Sequence, residues 1–120
     1  MPIQDRHIID SIKQSLIAQL KREHAFWSYN EHDITLENID DAHLIAMTMR
    51  HLDLPEIKKL FKIYPLRKIK DAWIRLLVTE NDYLYTLNRF FAWYYFKAKK
   101  PDSYLKSLQT RYHNKITAIS

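Results

Sequence analysis

The chain has 120 residues, of which 47% are hydrophobic and 28% charged, enough to form one domain around a core. It contains no Gly and no Cys, which excludes a P-loop, a Gly-rich dinucleotide turn, a nucleophile elbow, a disulfide framework and a zinc knuckle. Its net charge of +5 is uneven: residues 1–56 hold 5 Lys+Arg against 10 Asp+Glu, and residues 57–120 hold 14 against 4. Such a split suits either a nucleic-acid partner for the basic half or self-complementary packing of the two halves. The first five residues form neither a basic n-region nor an apolar h-region, so no signal peptide is expected. The most apolar stretch, residues 83–96, is broken by Asn88 and Arg89 and is too short to span a bilayer. The expected setting is cytoplasmic, away from membranes.

Periodicity predicts six helices and no strand. The first covers residues 5–24, where Ile9, Ile12, Leu16 and Leu20 form one apolar stripe. Asp40 is placed to cap the second helix, with Ile39 and Leu44 as a hydrophobic staple, and the helix ends near Leu52. The third runs from Pro55 to Ile63, closed by Pro65, which drives Tyr64 out of the helical region. In the fourth, residues 66–79, Leu66, Ile69, Trp73, Leu76 and Leu77 share an arc opposite Arg67, Lys68, Asp71 and Arg75. Asn81 and Asp82 are candidate caps for the fifth helix, residues 83–99. Pro101 opens the sixth, residues 102–119, with Tyr104, Leu105, Leu108, Tyr112, Ile116 and Ile119 on one face. The expected fold is all-α, a compact bundle of about six helices in one domain over residues 1–120, with residues 1–24 as a candidate arm or dimerisation helix.

Residues 55–77 have the outline of a helix-turn-helix, whose second helix lies in the DNA major groove. Arg67, Lys68 and Arg75 would form the reading face, with Lys70 at its edge, and Lys58, Lys59 and Lys62 would hold phosphates. The motif is incomplete, because the turn has no Gly and the first helix lacks its usual small residue. Arg67, Asp71 and Arg75 equally match a surface ion-pair ladder.

The fifth helix carries eight aromatics between residues 83 and 96. Tyr83, Leu87, Phe90, Phe91, Tyr94 and Ala98 are expected in the core. Arg89, Trp93 and Lys97 recur at i, i+4 and i+8 on another face, beside Lys100. That pattern fits a stacking platform for single-stranded nucleic acid or intramolecular cation–π contacts. A helix apolar nearly all round is expected to be the buried, central one, and any leftover apolar face would mark a protein interface. The six histidines do not reproduce metal-ligand spacing, so neither a metal nor any other cofactor is expected. With no Gly to shape a nucleophile turn, the reading is non-enzymatic.

Phe26-Trp27-Ser28-Tyr29, an acidic stretch, a helix ending His51-Leu52-Asp53, then Leu60-Phe61 with Tyr64 and Ile69-Lys70 with Trp73, resemble a group of small helical proteins of Bacteroidota. Asn88-Arg89-Phe90, Ala92, Tyr95-Phe96, Lys100-Pro101 and Tyr104-Leu105 extend the resemblance over about residues 25–113. Several members of such groups are thought to be antitoxin-like partners of nucleotidyltransferase-type toxins. The resemblance implies a binding protein and transfers no functional residue. The function expected is a protein-interaction or regulatory module, antitoxin-like, working through a protein partner and as a homodimer. Ile9, Ile12, Leu16, Leu20 and Trp93 are its candidate interface residues. The alternative is a double-stranded-DNA-binding regulator using Lys58, Lys59, Lys62, Arg67, Lys68, Lys70 and Arg75.

Overall fold

The computed structural model describes residues 5–23, 25 and 34–119. Among them are six α-helices, one 3-10 turn and no strand, so the fold is all-α. The Phe26-Trp27-Ser28-Tyr29 run lies outside the described residues, as do the side chains of Asn81, Asp82, Tyr112, Ile116 and Ile119. The chain divides into two units, Met1–Ala72 and Trp73–Ser120.

In the first unit, α1 (Arg6–Arg22) begins where the Asp5 carboxylate accepts the backbone N–H groups of His7 at 2.9 Å and Ile8 at 3.3 Å. These donors have no partner within the helix, so the cap offsets the cost of starting it. Lys21 and Arg22 close the last turn, where positive charge suits the helix dipole. Asp40 caps α2 (Asp41–His51) by accepting Ala42 N–H at 3.0 Å. Its carboxylate also meets His43 Nδ1 at 2.6 Å, a contact that holds the Asp40 carboxyl below its ordinary range. α3 (Leu54–Ile63) takes Pro55 in its first turn and stops at Tyr64, which is extended at φ −124° and ψ 145° ahead of Pro65. The Pro65 carbonyl then accepts the first N–H bonds of α4 (Leu66–Leu76), from Lys68 and Ile69.

α1, α2 and α3 pack on one another. Their shared core is Leu16, Ile17, Leu20, Leu44, Ile45, Met49, Ile57, Leu60 and Ile63. Leu66, expected on the apolar arc of α4, is exposed. It sits in the first turn of its helix, one turn before the buried Ile69.

The second unit starts at Trp73, within α4. A 3-10 turn, Val78–Glu80, leads into α5 (Asn81–Tyr94), and α6 (Pro101–Ile119) packs against both. Trp73, Leu77, Val78, Phe91, Ala92, Leu105 and Leu108 form the core. The helix already includes Asn81 and Asp82, so the N-cap position falls on Glu80 and not on either of them. The residue before it, Glu80, has φ −106° and ψ 36° and makes no capping bond. Those angles lie outside the extended region a capping side chain needs. Leu84 departs from helical geometry, at φ −108° and ψ 17°, and kinks the first turn.

α5 ends at Tyr94, five residues short of the expected Lys99. The Phe91 carbonyl accepts both Tyr95 and Phe96 N–H, Ala98 N–H reaches back to Ala92, and Lys97 turns the chain at φ 58°. Glycine normally occupies such a left-handed position, and a side chain there costs about 1–2 kcal/mol. Lys97→Gly is therefore expected to stabilise the protein by about 0.5–1 kcal/mol, after the greater freedom of glycine in the unfolded chain is set against the relieved strain. Urea unfolding would show a raised midpoint at unchanged slope, and a lowered midpoint would contradict the strain.

Candidate functional site

The candidate DNA residues of the first unit lie on α3 and the start of α4. Lys58, Lys62 and Arg67 are exposed, and Lys59 and Lys70 are half-buried. Lys68 is exposed but committed: its ammonium meets Asp41 Oδ2 at 2.8 Å. Arg75 is an exposed residue of the second unit.

Asp41 is a junction that the sequence reading missed. Besides Lys68 of α4, its carboxylate takes the Tyr64 hydroxyl at 2.7 Å and the Lys13 ammonium of α1 at 3.3 Å. Both ammonium groups also lie near the Tyr64 ring, at 5.4 Å for Lys13 and 5.3 Å for Lys68, within cation–π range. Partial burial alone would push the Asp41 carboxyl above its ordinary range. The hydrogen bonds from Lys68 and Tyr64 and the charge of Lys13 outweigh it and hold the carboxyl down to about 2. Burial and the same carboxylate push the Tyr64 hydroxyl well above its ordinary range. The arrangement ties α1, α2, the α3–α4 joint and α4 to one anion. Its carboxylate and hydroxyl are both engaged by these partners.

Because the folded carboxyl ionises below its ordinary value of 3.8, the cluster stabilises the protein fully above that pH. The contribution fades as pH falls from 3.8 toward about 2. Allowing for solvent screening of a partly exposed group, it is worth about 1 kcal/mol. Urea melts across that window should show the loss in the wild type. Asp41→Asn should be less stable at pH 7 and lack this part of the acid slope, and an identical slope would remove the cluster from the account.

The candidate interface residues of α1 separate into two pairs. Leu16 and Leu20 are fully buried in the first unit, which corrects the expectation that they face a partner. The apolar stripe is used against α2 and α3, and only Ile9 and Ile12 remain half-buried.

In the second unit, α5 is not a buried helix. Trp93 is 58% exposed and Tyr83 88%, and Tyr85 and Tyr94 also reach solvent. Of the six residues expected in the core, only Phe91 is buried. Leu87, Phe90 and Ala98 are half-buried, and Tyr83 and Tyr94 are exposed. Within its unit the helix packs on α6 and the 3-10 turn and meets Trp73 through Asn88, which covers one side and leaves Trp93, Tyr83, Tyr85 and Tyr94 exposed. The expected row of Arg89, Trp93 and Lys97 is also broken, because the helix stops between Trp93 and Lys97.

What the uncovered side holds instead is a groove of about 740 Å³. Tyr85, Thr86, Arg89, Phe90 and Trp93 contribute from α5, and Pro101 and Asp102 from the first turn of α6. Asp102 accepts the Tyr85 hydroxyl and Arg89 Nε, the latter at 3.1 Å. These partners, the Tyr85 hydroxyl foremost, hold the Asp102 carboxyl below its ordinary range. The Phe90 ring stacks on Tyr94 at 5.2 Å, and Trp93 leans on Phe90 and Tyr94 at tilts of 54° and 41°. The groove thus offers an open aromatic surface beside an anchored guanidinium.

Among the described residues no group of histidines and carboxylates could hold a metal ion, and no helix is long and apolar enough to cross a membrane. No family model matches the chain, and neither the curated proteins nor the solved structures give a match.

Proposed function

We propose that the chain is a non-enzymatic protein-interaction module, antitoxin-like or regulatory, that binds its partner through the groove on α5 and α6. The observation that carries this reading is Trp93, a large ring 58% exposed beside Arg89 and Tyr85. Contiguous exposed aromatic surface marks interaction sites. Trp, Tyr and Arg are also the residue types in which interface binding energy concentrates. A cytoplasmic setting belongs to the same proposal. The test is capture of partners from the native host with and without nuclease, using the wild type and Trp93→Ala. A protein retained after nuclease and lost with Trp93→Ala supports the reading, and capture unaffected by the substitution refutes it. Self-association is the second partner proposed. Light scattering at high micromolar concentration and low salt should show a dimer, and a monomer there would exclude it.

The exposed Lys58, Lys62 and Arg67 favour a second reading, a DNA-binding regulator. If these three and Lys59 each neutralise a phosphate, log K against log salt should fall with a slope of about −3.6. Equal affinity for the protein's own promoter and a scrambled duplex would leave the basic residues as solvated surface.

A further inference from the structure

We infer that the groove receives an acidic segment of the partner protein, one carboxylate held by Arg89 and a neighbouring apolar side chain laid on Trp93. The inference rests on the protein-interaction reading and adds the chemistry of the partner.

Charge is the first support. Residues 1–72 balance 11 Lys+Arg against 11 Asp+Glu, whereas residues 73–120 hold 8 against 3. The whole net charge of +5 therefore belongs to the unit that carries the groove. Lys97, Lys99 and Lys100 are exposed in the link that runs into Pro101, a residue of the groove wall. An acidic partner would be drawn to this unit, and a basic one repelled.

Arg89 is the second support. Asp102 takes it by Nε only, so the two terminal Nη groups lie outside that bond, on a side chain 56% exposed. A guanidinium held by one edge presents the other end of its planar fork in a fixed direction. That end matches the two oxygens of a carboxylate. The negative charge of Asp102 is shared between Tyr85 and Arg89, so it braces the cation while leaving its far end available.

The rings decide between a peptide and a nucleic acid. Single strands bind over successive aromatic platforms along a basic track. Here the Phe90 and Tyr94 rings are stacked on each other at an interplanar angle of 14°, and Trp93 is the most exposed ring of the groove, beside a Tyr85 ring whose hydroxyl is tied to Asp102. One platform suits one side chain.

The test is fluorescence anisotropy with a fluorescein-labelled peptide, Asp-Glu-Leu-Glu-Trp-Asp. Its charge-reversed counterpart, Lys-Arg-Leu-Lys-Trp-Arg, and a labelled oligothymidylate are measured beside it. The acidic peptide should bind at least about tenfold more tightly than the basic one, and Arg89→Ala should weaken it about tenfold or more, the loss of one charge-assisted contact. Arg89→Lys should recover only part, because a point charge lacks the fork. Lys106→Ala, an exposed cation of α6 outside the groove lining, should change affinity less than about threefold. No binding at about 1 mM peptide, equal affinity for the two peptides, or an unaffected Arg89→Ala overturns the inference. Displacement of the peptide by oligothymidylate in a Trp93-dependent way overturns it in favour of a nucleic-acid site. Partner capture that needs Trp93 but not Arg89 leaves the protein-interaction reading standing and removes only the acidic segment. Arg89 and Trp93 are solvent-exposed, and unchanged thermal melts of the variants will separate binding from folding.

Discussion

Trp73→Ala is expected to destabilise the protein by about 3–5 kcal/mol, the range for removing a large ring from a packed core. Trp73 is fully buried, stacks on Phe96 at 4.5 Å between ring centres, and lies 6.5 Å from the Tyr104 ring. Its loss opens a cavity that α5 and α6 cannot fill without shifting. It also removes the indole N–H that donates to Asn88 Oδ1 at 3.1 Å. Domains are commonly stable by only about 5–15 kcal/mol, so the substitution takes a large share of the total. Equilibrium urea unfolding measures it, and a loss under about 1 kcal/mol would contradict the burial of Trp73.

Asn88→Leu is expected to cost about 2–4 kcal/mol although it replaces a polar core residue with an apolar one. Asn88 is fully buried and joins two elements: its oxygen accepts the Trp73 indole, and its amide nitrogen donates to the Leu77 carbonyl at 2.9 Å. Leucine leaves the indole N–H buried without its acceptor, which costs about 1–3 kcal/mol, and forfeits the second bond. The Leu77 carbonyl still receives Glu80 N–H at 3.1 Å, so the indole suffers more. Trp73→Phe removes the orphaned donor. Combined with Asn88→Leu, it should cost less than the sum of the single changes, with a coupling of about 0.5–3 kcal/mol. Strict additivity would mean that the two side chains do not act together.

Local chemistry was legible at Asp40 and Pro65, whereas the N-cap position of α5 fell on Glu80 and not on Asn81 or Asp82. Asp40 caps the helix it precedes, and Pro65 forces Tyr64 into the extended region, because each effect acts over one to three residues. The end of α5 was not legible in the same way. Termination usually announces itself with Gly, and here the left-handed residue is Lys97, which reads as one more helix former. Asp41 was invisible as a junction for a different reason. Lys13, Tyr64 and Lys68 reach it from distant parts of the chain, and no spacing rule connects them. The exposure of Trp93 inverts a rule that holds on average. An apolar surround buries a helix only when neighbours exist to cover it, and α5 has too few in its unit. Asn88 looked like an interruption of an apolar run and proved to be the hydrogen-bonding centre of that run's packed side.

The contrast between Trp73 and Trp93 gives the second unit two optical reporters of opposite character. With Trp27 replaced by Phe, one indole would emit from a dry, ring-lined interior and the other from water. Iodide, an anion, would be drawn to the guanidinium beside Trp93 and quench that band while leaving the interior one bright. Loss of protection at Trp73 would then time the opening of the core, and gain of protection at Trp93 would time the arrival of a ligand. Both clocks would run in one cuvette, without a label on the protein.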